Sequence, residues 1–211
     1  MVDAVSDFDV LVEEITSCTL CSLSEKRTNA VPGEGSLTAD IFFIGEGPGF
    51  YEDRDGRPFV GPAGKFLDEL LASIGLRRQD VYITNMVKCR PPNNRDPLPG
   101  EIQACQPYLD RQLDLISPKL VVTLGRYSFN KLFPGESISK ARGKPRRWKN
   151  ITVYPMYHPA AALHNPALRP VIESDVGRLP SLVEDVAREP EAVREPEQVE
   201  PPATKQLSMF E

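Results

Sequence analysis

Apolar residues recur along the chain at two spacings, one typical of amphipathic helices and one of buried strands. Near the N-terminus, Phe8, Leu11, Val12 and Ile15 follow one another at helical spacing, which predicts an amphipathic helix. Four short apolar runs predict buried parallel strands, and three segments between them have helical patterns. The strands are expected at residues 41–44, 81–87, 120–124 and 151–155, and the helices at residues 64–75, 99–116 and 126–133.

Strands that alternate with helices predict a parallel sheet with helices on both faces. The sequence therefore predicts an α/β protein, a three-layer α/β/α sandwich around a four-stranded, mostly parallel sheet. In such sheets, ligands bind beyond the carboxyl ends of the strands. Three candidate segments lie there: Gly-Glu-Gly-Pro-Gly at 45–49, Asn-Met-Val-Lys-Cys-Arg-Pro-Pro at 85–92, and Tyr-His-Pro at 157–159.

Composition separates a folded body from a polar tail. With 211 residues, of which 40% are hydrophobic, the chain can bury one compact core and carry an appendage. We expect a folded domain at residues 1–187 and a disordered tail, rich in proline and glutamate, at residues 188–211. No apolar run has the length of a membrane span, and the N-terminus lacks the basic region of a signal peptide. We therefore expect a cytoplasmic protein, acting as a monomer.

The net charge of −5 is unevenly distributed. Residues 173–211 contain ten acidic and four basic side chains, so residues 1–172 carry a net charge of about +1. Within the body, a run of six cations contains no acidic residue. Such a run is most often a solvated loop, but it also suits contact with DNA phosphates. Its members are Lys140, Arg142, Lys144, Arg146, Arg147 and Lys149.

The four cysteines form a close pair, Cys18 and Cys21, and a distant pair, Cys89 and Cys105. In a reducing compartment, ligation explains them better than disulfide bonds do. Their spacing alone suits a structural zinc site about as well as an iron–sulfur cluster. In either case, the second pair would tie the N-terminal helix to the loop after the second strand. Unligated core thiols are the remaining alternative.

Together, the three segments and the four cysteines resemble family 4 uracil-DNA glycosylases, the iron–sulfur type, from about Val12 to about Leu182. The resemblance implies a uracil-DNA glycosylase-like fold. It also implies an enzyme that hydrolyses the N-glycosidic bond of uracil in DNA and so initiates base excision repair. The four cysteines would hold a [4Fe–4S] cluster with a structural role, since uracil excision moves no electrons.

The resemblance also assigns roles in a base pocket. A glycosylase flips its base out of the helix, so it needs an aromatic surface for stacking and a reader of the base edge. Phe59 matches the stacking residue and Asn85 the edge reader. The Asn85 amide can donate to uracil O4 and accept from N3–H, whereas cytosine reverses both groups. His158 matches the histidine that hydrogen-bonds uracil O2 and stabilises the departing anion.

The glycine-rich loop at residues 45–49 lacks the G-x-G-x-x-G dinucleotide pattern. In the superfamily this loop contacts uracil O2 and the attacking water, so Gly45, Glu46 and Gly47 are expected at the base. The best-known branch has an aspartate where this chain has Gly47, so the usual water-orienting carboxylate is missing there. Glu46 is expected near uracil C5, where it would help to exclude the methyl group of thymine. A dissociative mechanism needs no strong base.

Two further segments resemble known motifs. Residues 160–165 resemble the loop that wedges into DNA, with Leu163 filling the vacated stack. Residues 206–210 resemble the short motif by which bacterial repair and replication proteins dock on the sliding clamp. Its expected contacts are a hydrogen bond from Gln206 and a hydrophobic pocket filled by Leu207, Met209 and Phe210. An incidental tail is the alternative.

Alternative functions remain open at this stage. X-type glycosylases of the superfamily trap themselves on DNA through a histidine after the asparagine motif, but no histidine lies between Asn85 and His158. A relative with altered base specificity is a second alternative. The third is a catalytically silent iron–sulfur module that recruits partners to DNA, related in fold to phage polymerase accessory domains. Release of free uracil would distinguish the enzyme from such a module.

Overall fold

A six-stranded sheet forms the centre of the computed structural model, which describes residues 4–188. The sheet has the order β1-β3-β2-β4-β6-β5, in which the four inner strands are parallel and both edge strands are antiparallel to their neighbours. The strands are β1 (Glu34–Gly35), β2 (Ile41–Gly45), β3 (Tyr82–Asn85), β4 (Leu120–Leu124), β5 (Arg146–Trp148) and β6 (Ile151–Met156).

The four predicted strands are confirmed as the inner strands, but the predicted strand number was wrong. The sequence pattern missed β1 and β5 because they have two and three residues and no buried apolar run. The second strand is also shorter than predicted, since β3 ends at Asn85. Beyond it, the N–H groups of Met86 and Val87 donate to the carbonyls of Gly45 and Glu46. The second motif therefore turns to follow the glycine-rich loop.

Helices cover both faces of the sheet. In the described part of the chain they are α1 (Ala4–Ser17), α2 (Phe50–Asp55), α3 (Pro62–Ser73), α4 (Pro99–Ile116), α5 (Arg126–Leu132), α6 (Ile138–Ala141), α7 (Pro159–His164), α8 (Arg169–Val176) and α9 (Leu179–Arg188). None of them is long and apolar enough to cross a membrane. The predicted helix at residues 64–75 begins two residues earlier, at a proline whose fixed φ suits the first helical position.

Two apolar cores, one on each face of the sheet, produce the three predicted layers. On one face, α1, α4 and α5 pack against Phe42 and Tyr82. On the other, α3, α8 and α9 pack against Phe43 and Ile83. Neighbouring residues of β2 thus enter opposite cores, as the alternation of side chains along a strand requires. The predicted α/β/α sandwich is confirmed.

The carboxyl ends of the inner strands bring the three sequence motifs together. Gly45 of β2 is the register partner of Asn85 in β3. On the other side of the sheet centre, β6 ends at Met156, two residues before His158. The motifs therefore meet at one edge of the sheet, the edge formed by the carboxyl ends of the inner strands.

Candidate active site

A cavity of about 490 Å³ opens at this edge of the sheet. Five residues predicted for the base pocket line it: Glu46, Gly47, Phe59, Asn85 and His158. The sixth predicted residue, Gly45, does not line the cavity. A Cβ atom at Gly45 would meet Asn85 Oδ1 at 2.3 Å and Phe59 Cζ at 2.7 Å. The absence of a side chain at Gly45 therefore allows the asparagine and the phenylalanine to meet.

Asn85 is the polar side chain at the end of β3. It is 2% exposed, and its Oδ1 atom has no hydrogen-bond partner within residues 4–188. An unpaired buried polar atom costs about 1–3 kcal/mol, so native structures retain few of them. Asn85 also lines the cavity, so a small rotation of its amide would let a ligand with an N–H group supply the missing partner.

Phe59 is buried in the cavity wall in a left-handed conformation, with φ of 52°. This conformation is unfavourable for a bulky residue and persists only where its surroundings enforce it. Glu52 Oε1 accepts hydrogen bonds from the N–H groups of Val60 at 2.9 Å and Gly61 at 2.8 Å. On the other side, Arg78 Nη1 donates to the Phe59 carbonyl at 3.1 Å. An anion and a cation thus hold the segment around the ring.

Glu52 is a cavity residue that sequence reasoning missed. Its Oε2 atom also accepts from the Gly49 N–H at 3.1 Å, so one carboxylate joins the glycine-rich loop to the Phe59 segment. The available signal was the three-residue spacing from Gly49 to Glu52, which is that of a glutamate capping a helix start. Asn94 and Arg95 also line the cavity, and no sequence pattern indicated them.

The His158 ring is held in one tautomer by the backbone. Its Nδ1 atom accepts a hydrogen bond from the Ala160 N–H at 3.1 Å, so the proton of the neutral ring lies on Nε2. Burial lowers the pKa of His158 to about 4, although Glu52 opposes this shift. Gly125, which sequence reasoning missed, approaches the ring closely: a Cβ there would meet His158 Cβ at 3.1 Å. At neutral pH the ring is an uncharged N–H donor.

The two residues after Gly45 have different physical roles. Desolvation, with a smaller contribution from Asp96, raises the pKa of Glu46 to about 7, while Arg126 opposes the shift. Glu46 therefore carries its proton in part of the population at neutral pH.

A Cβ atom at Gly47 would meet Val87 Cγ2 at 2.7 Å. An aspartate would not fit there unless Val87 moved, which is a structural reason for the missing carboxylate.

The predicted wedge segment lies at the cavity mouth but is not a loop. Residues 160–164 belong to α7, which begins at Pro159, so the prediction of a loop was wrong. The Pro159 ring suits the first position of a helix, a signal that the sequence contained. Leu163 is 50% exposed. Three other residues of this segment line the cavity: Ala160, Ala161 and His164.

The basic run does not form one continuous free strip. Arg142 Nη1 donates to both carboxylate oxygens of Asp175 at 2.9 Å, and Arg146 pairs with Glu136 at 2.7 Å. These two guanidinium groups therefore stabilise the fold around β5 and α8. The exposed members of the run are Lys140, Lys144, Arg147 and Lys149.

The four cysteines line one small cavity, between the end of α1, the loop after β3, and α4. N–H groups point at three of the sulfur atoms: Lys88 N at Cys105 (3.3 Å), Arg27 Nη1 at Cys89 (3.1 Å) and Leu20 N at Cys18 (3.5 Å). Such donors suit the thiolates of an iron–sulfur site. Between residues 4 and 188, no group of three or more His, Cys, Asp or Glu side chains is arranged to hold a metal ion. The described side chains do not form a preformed ion site, but four thiols with N–H donors beside them have the chemistry that an iron–sulfur cluster requires.

The residues of the predicted clamp motif, Gln206, Leu207, Met209 and Phe210, lie outside the described residues.

The chain is similar to known proteins over most of its length. The family model of the uracil DNA glycosylase superfamily matches residues 32–175. A type-4 uracil-DNA glycosylase of Sulfurisphaera tokodaii is 54% identical over 84% of this chain and 86% of its own. One of Saccharolobus solfataricus is 52% identical over 81% of this chain and 84% of its own. A DNA polymerase of Bacillus phage SP01 is 34% identical over 78% of this chain, which corresponds to 18% of the polymerase. The chain belongs to the type-4 uracil-DNA glycosylase family, within the uracil DNA glycosylase superfamily.

Proposed function

We propose that the protein is a monofunctional uracil-DNA glycosylase, which hydrolyses the N-glycosidic bond of uracil in DNA and leaves an abasic site. The observation that carries the proposal is the buried side chain of Asn85, which lines the cavity and whose Oδ1 atom has no partner among the described residues. Uracil N3–H is the donor that this atom lacks, whereas N3 of cytosine carries no proton. In the amide orientation that reads uracil, a bound cytosine would leave the oxygen unpaired, at a cost of about 1–3 kcal/mol.

The two rings of the pocket meet the base in different ways. The centroids of Phe59 and His158 are 5.4 Å apart, with an interplanar angle of 25°. A base between two rings needs about 3.5 Å on each side, so it does not fit in this gap. We place uracil against Phe59, with its edge toward the Nε2–H donor of His158.

A neutral donor suits the departure of uracil as an anion. As the glycosidic bond breaks, negative charge builds on uracil O2, and a fixed N–H group stabilises that charge without having to give up its proton. The sugar becomes cation-like, and water then adds at C1′. This dissociative order is compatible with Gly47, because a weakly oriented water suffices. We place Glu46 near uracil C5, where it would exclude thymine.

The position of Lys88 supports a monofunctional enzyme. Lyase chemistry needs an amine nucleophile at the sugar. Lys88 is the lysine of the second motif, but its Nζ atom is buried and donates to Thr84 Oγ1, the Asn85 carbonyl and Gln112 Oε1. These bonds point the amine away from the cavity, whose lining contains no lysine among the described residues.

We further propose that Cys18, Cys21, Cys89 and Cys105 hold a [4Fe–4S] cluster. The support is their shared cavity, the N–H donors at the sulfur atoms, and the membership of the type-4 family. When bound, the cluster would supply a covalent link between distant segments rather than redox chemistry. Burial raises the pKa of Cys105 to about 11, so its thiolate form requires a bound cation to offset the desolvation.

DNA is proposed to cross the cavity mouth over α7. Leu163 is the wedge that fills the space left by the flipped base. From the basic run, Lys140 and Lys144 are the better candidates for phosphate contacts, because Arg142 and Arg146 are paired with acidic residues of the chain. Arg147 is exposed, and its Nη1 atom donates to Thr152 Oγ1 at 2.9 Å.

Residues 206–210 are proposed, from sequence alone, to dock on a sliding clamp. A polar tether before them would hold the enzyme near DNA at high effective concentration.

The alternative function, a silent recruitment module, draws support from the similarity to part of a phage DNA polymerase. The identity of 54% to a type-4 uracil-DNA glycosylase over 84% of this chain favours the enzyme.

Replacing either polar residue of the pocket tests the proposed activity. Asn85→Ala and His158→Ala should each lower the single-turnover rate of uracil release from a single-stranded oligonucleotide by about 100-fold or more, as loss of one fixed donor does elsewhere. The matched control, Asn150→Ala at an exposed turn, should act like the wild type. The product should be an abasic site, with no adduct trapped by borohydride. A near-normal rate in either pocket variant would contradict the assignment.

The protonation state of His158 can be observed directly by NMR of protein with ¹⁵N-labelled imidazole, with His158→Gln used for assignment. The ring should remain neutral, with its proton on Nε2, down to about pH 4. In the unfolded chain the His158 imidazole has its ordinary pKa near 6.5, so it takes up a proton at a higher pH than it does in the folded protein. His158 should therefore contribute a loss of about 3 kcal/mol in the free energy of unfolding as the pH falls from about 6.5 to about 4, a contribution that His158→Gln should lack. A ring that is protonated at pH 6 would contradict the neutral-donor mechanism.

The cluster proposal is tested on anaerobically purified protein by metal and sulfide analysis. Four irons and four sulfides per chain are expected, with a broad visible absorbance band. Cys89→Ser should lose iron, whereas Ser24→Ala, beside the same cavity, should retain it. One zinc per chain and no iron would show that the proposed cofactor, a [4Fe–4S] cluster, is wrong.

The clamp proposal is tested by deleting residues 205–211. The truncated protein should lose binding to a sliding clamp in a pull-down, because the glutamine and the apolar side chains are gone, yet release uracil from free oligonucleotides at the normal rate. A full-length chain with residues 206–210 in scrambled order is the matched control and should also fail to bind. Equal clamp binding by all three proteins would refute the proposal.

A further inference from the structure

Two neighbouring aromatic side chains are exposed at the start of α2. Phe50 is 53% exposed and Tyr51 is 44% exposed, and their rings meet edge to face with centroids 5.5 Å apart. Single exposed apolar residues are common on protein surfaces. A pair of large aromatic rings beside a binding cavity is less common, because such rings normally gain free energy by being buried.

Each ring of the pair has a guanidinium group over it. Arg90 lies over Phe50 at 5.2 Å from the ring centroid, and Arg54 lies over Tyr51 at 5.4 Å. Arg90 also donates from Nε to Asn94 Oδ1 at 2.7 Å, and Asn94 lines the uracil cavity. The contact between Phe50 and Arg90 is therefore connected to the cavity rim by a hydrogen bond.

The aromatic pair and the wedge are carried by different walls of the cavity mouth. Gly49 and Glu52, which flank the pair in sequence, line the cavity on the side of the glycine-rich loop. The α7 segment that carries Leu163 lines it from the end of β6. A DNA strand whose uracil enters the cavity has neighbouring nucleotides on each side of the mouth. One of them would come within reach of Phe50.

We propose that Phe50, with Arg90, is a stacking platform for an unpaired base adjacent to the flipped uracil on the same strand. The inference rests on the proposed function, because the uracil in the cavity sets where the neighbouring nucleotide lies. Every base has a π-face, so an aromatic ring binds it without sequence preference, and the nearby cation suits the phosphate backbone. In a single strand the face of the base is free, whereas in a duplex it is stacked and paired. The platform thus favours single-stranded DNA.

The test measures binding by fluorescence anisotropy, with a labelled single-stranded oligonucleotide that contains one 2′-fluoro-2′-deoxyuridine, which resists excision. Phe50→Ala should raise the Kd for this strand by about 10-fold, since alanine substitution removes base stacking of this size. Phe50→Trp should retain tight binding. Val10→Ala, at another exposed apolar residue, on α1, is the matched control and should bind like the wild type. The same uracil analogue in a fully paired duplex should show a change of less than about 3-fold for Phe50→Ala, because the flanking base stays in the stack.

Two results would overturn the inference while leaving the proposed function intact. Equal Kd values for Phe50→Ala and the wild type on the single strand would show that the ring does not bind DNA and would leave protein docking as its use. Equal losses on the single strand and the duplex would show a contact that does not depend on an unpaired base. Uracil release from an ordinary deoxyuridine strand is measured in parallel. A wild-type protein that releases no uracil would overturn the proposed function, and with it this inference.

Discussion

The buried amino group of Lys88 holds together the region that both the pocket and the cysteine cavity depend on. Its Nζ atom donates to Thr84 Oγ1 at 2.6 Å, to the Asn85 carbonyl at 2.8 Å and to Gln112 Oε1 at 2.6 Å. The side chain is 1% exposed, and burial lowers its pKa to about 7. A buried polar group of this kind is tolerated only when its hydrogen bonds are satisfied. Because these bonds join the end of β3 to α4, Asn85 and Cys89 stay fixed on either side.

Around this anchor, the pocket depends on close approaches that exclude most side chains. Gly45 allows Asn85 and Phe59 to meet, and Gly125 allows the His158 ring to approach the end of β4. The hydrogen bonds to the backbone on both sides of Phe59 then hold its strained conformation. In the proposed reaction, rigid placement matters because a fixed donor would stabilise developing charge without reorganising. Elements far apart in sequence therefore act as one preorganised site.

The sequence could predict those parts of the fold that depend on local pattern. Buried strands have apolar runs, and the motif residues follow directly after them, so Asn85 and His158 could be placed at the sheet edge. The short polar edge strands gave no such signal. Glu52 and Arg78 were missed as supports of Phe59 because their contacts join segments 8 to 19 residues apart, which a periodic pattern does not reveal. The pairing of Arg142 with Asp175, 33 residues away, was missed for the same reason.

A crystal structure with free uracil bound would test the central claim most directly, which is that the unpaired amide of Asn85 reads the base. The N3 atom of uracil should lie about 2.7–3.2 Å from Asn85 Oδ1, with the ring against Phe59 and O2 at a similar distance from His158 Nε2. Uracil bound elsewhere, or bound in the cavity with the Asn85 amide still unpaired, would contradict the claim.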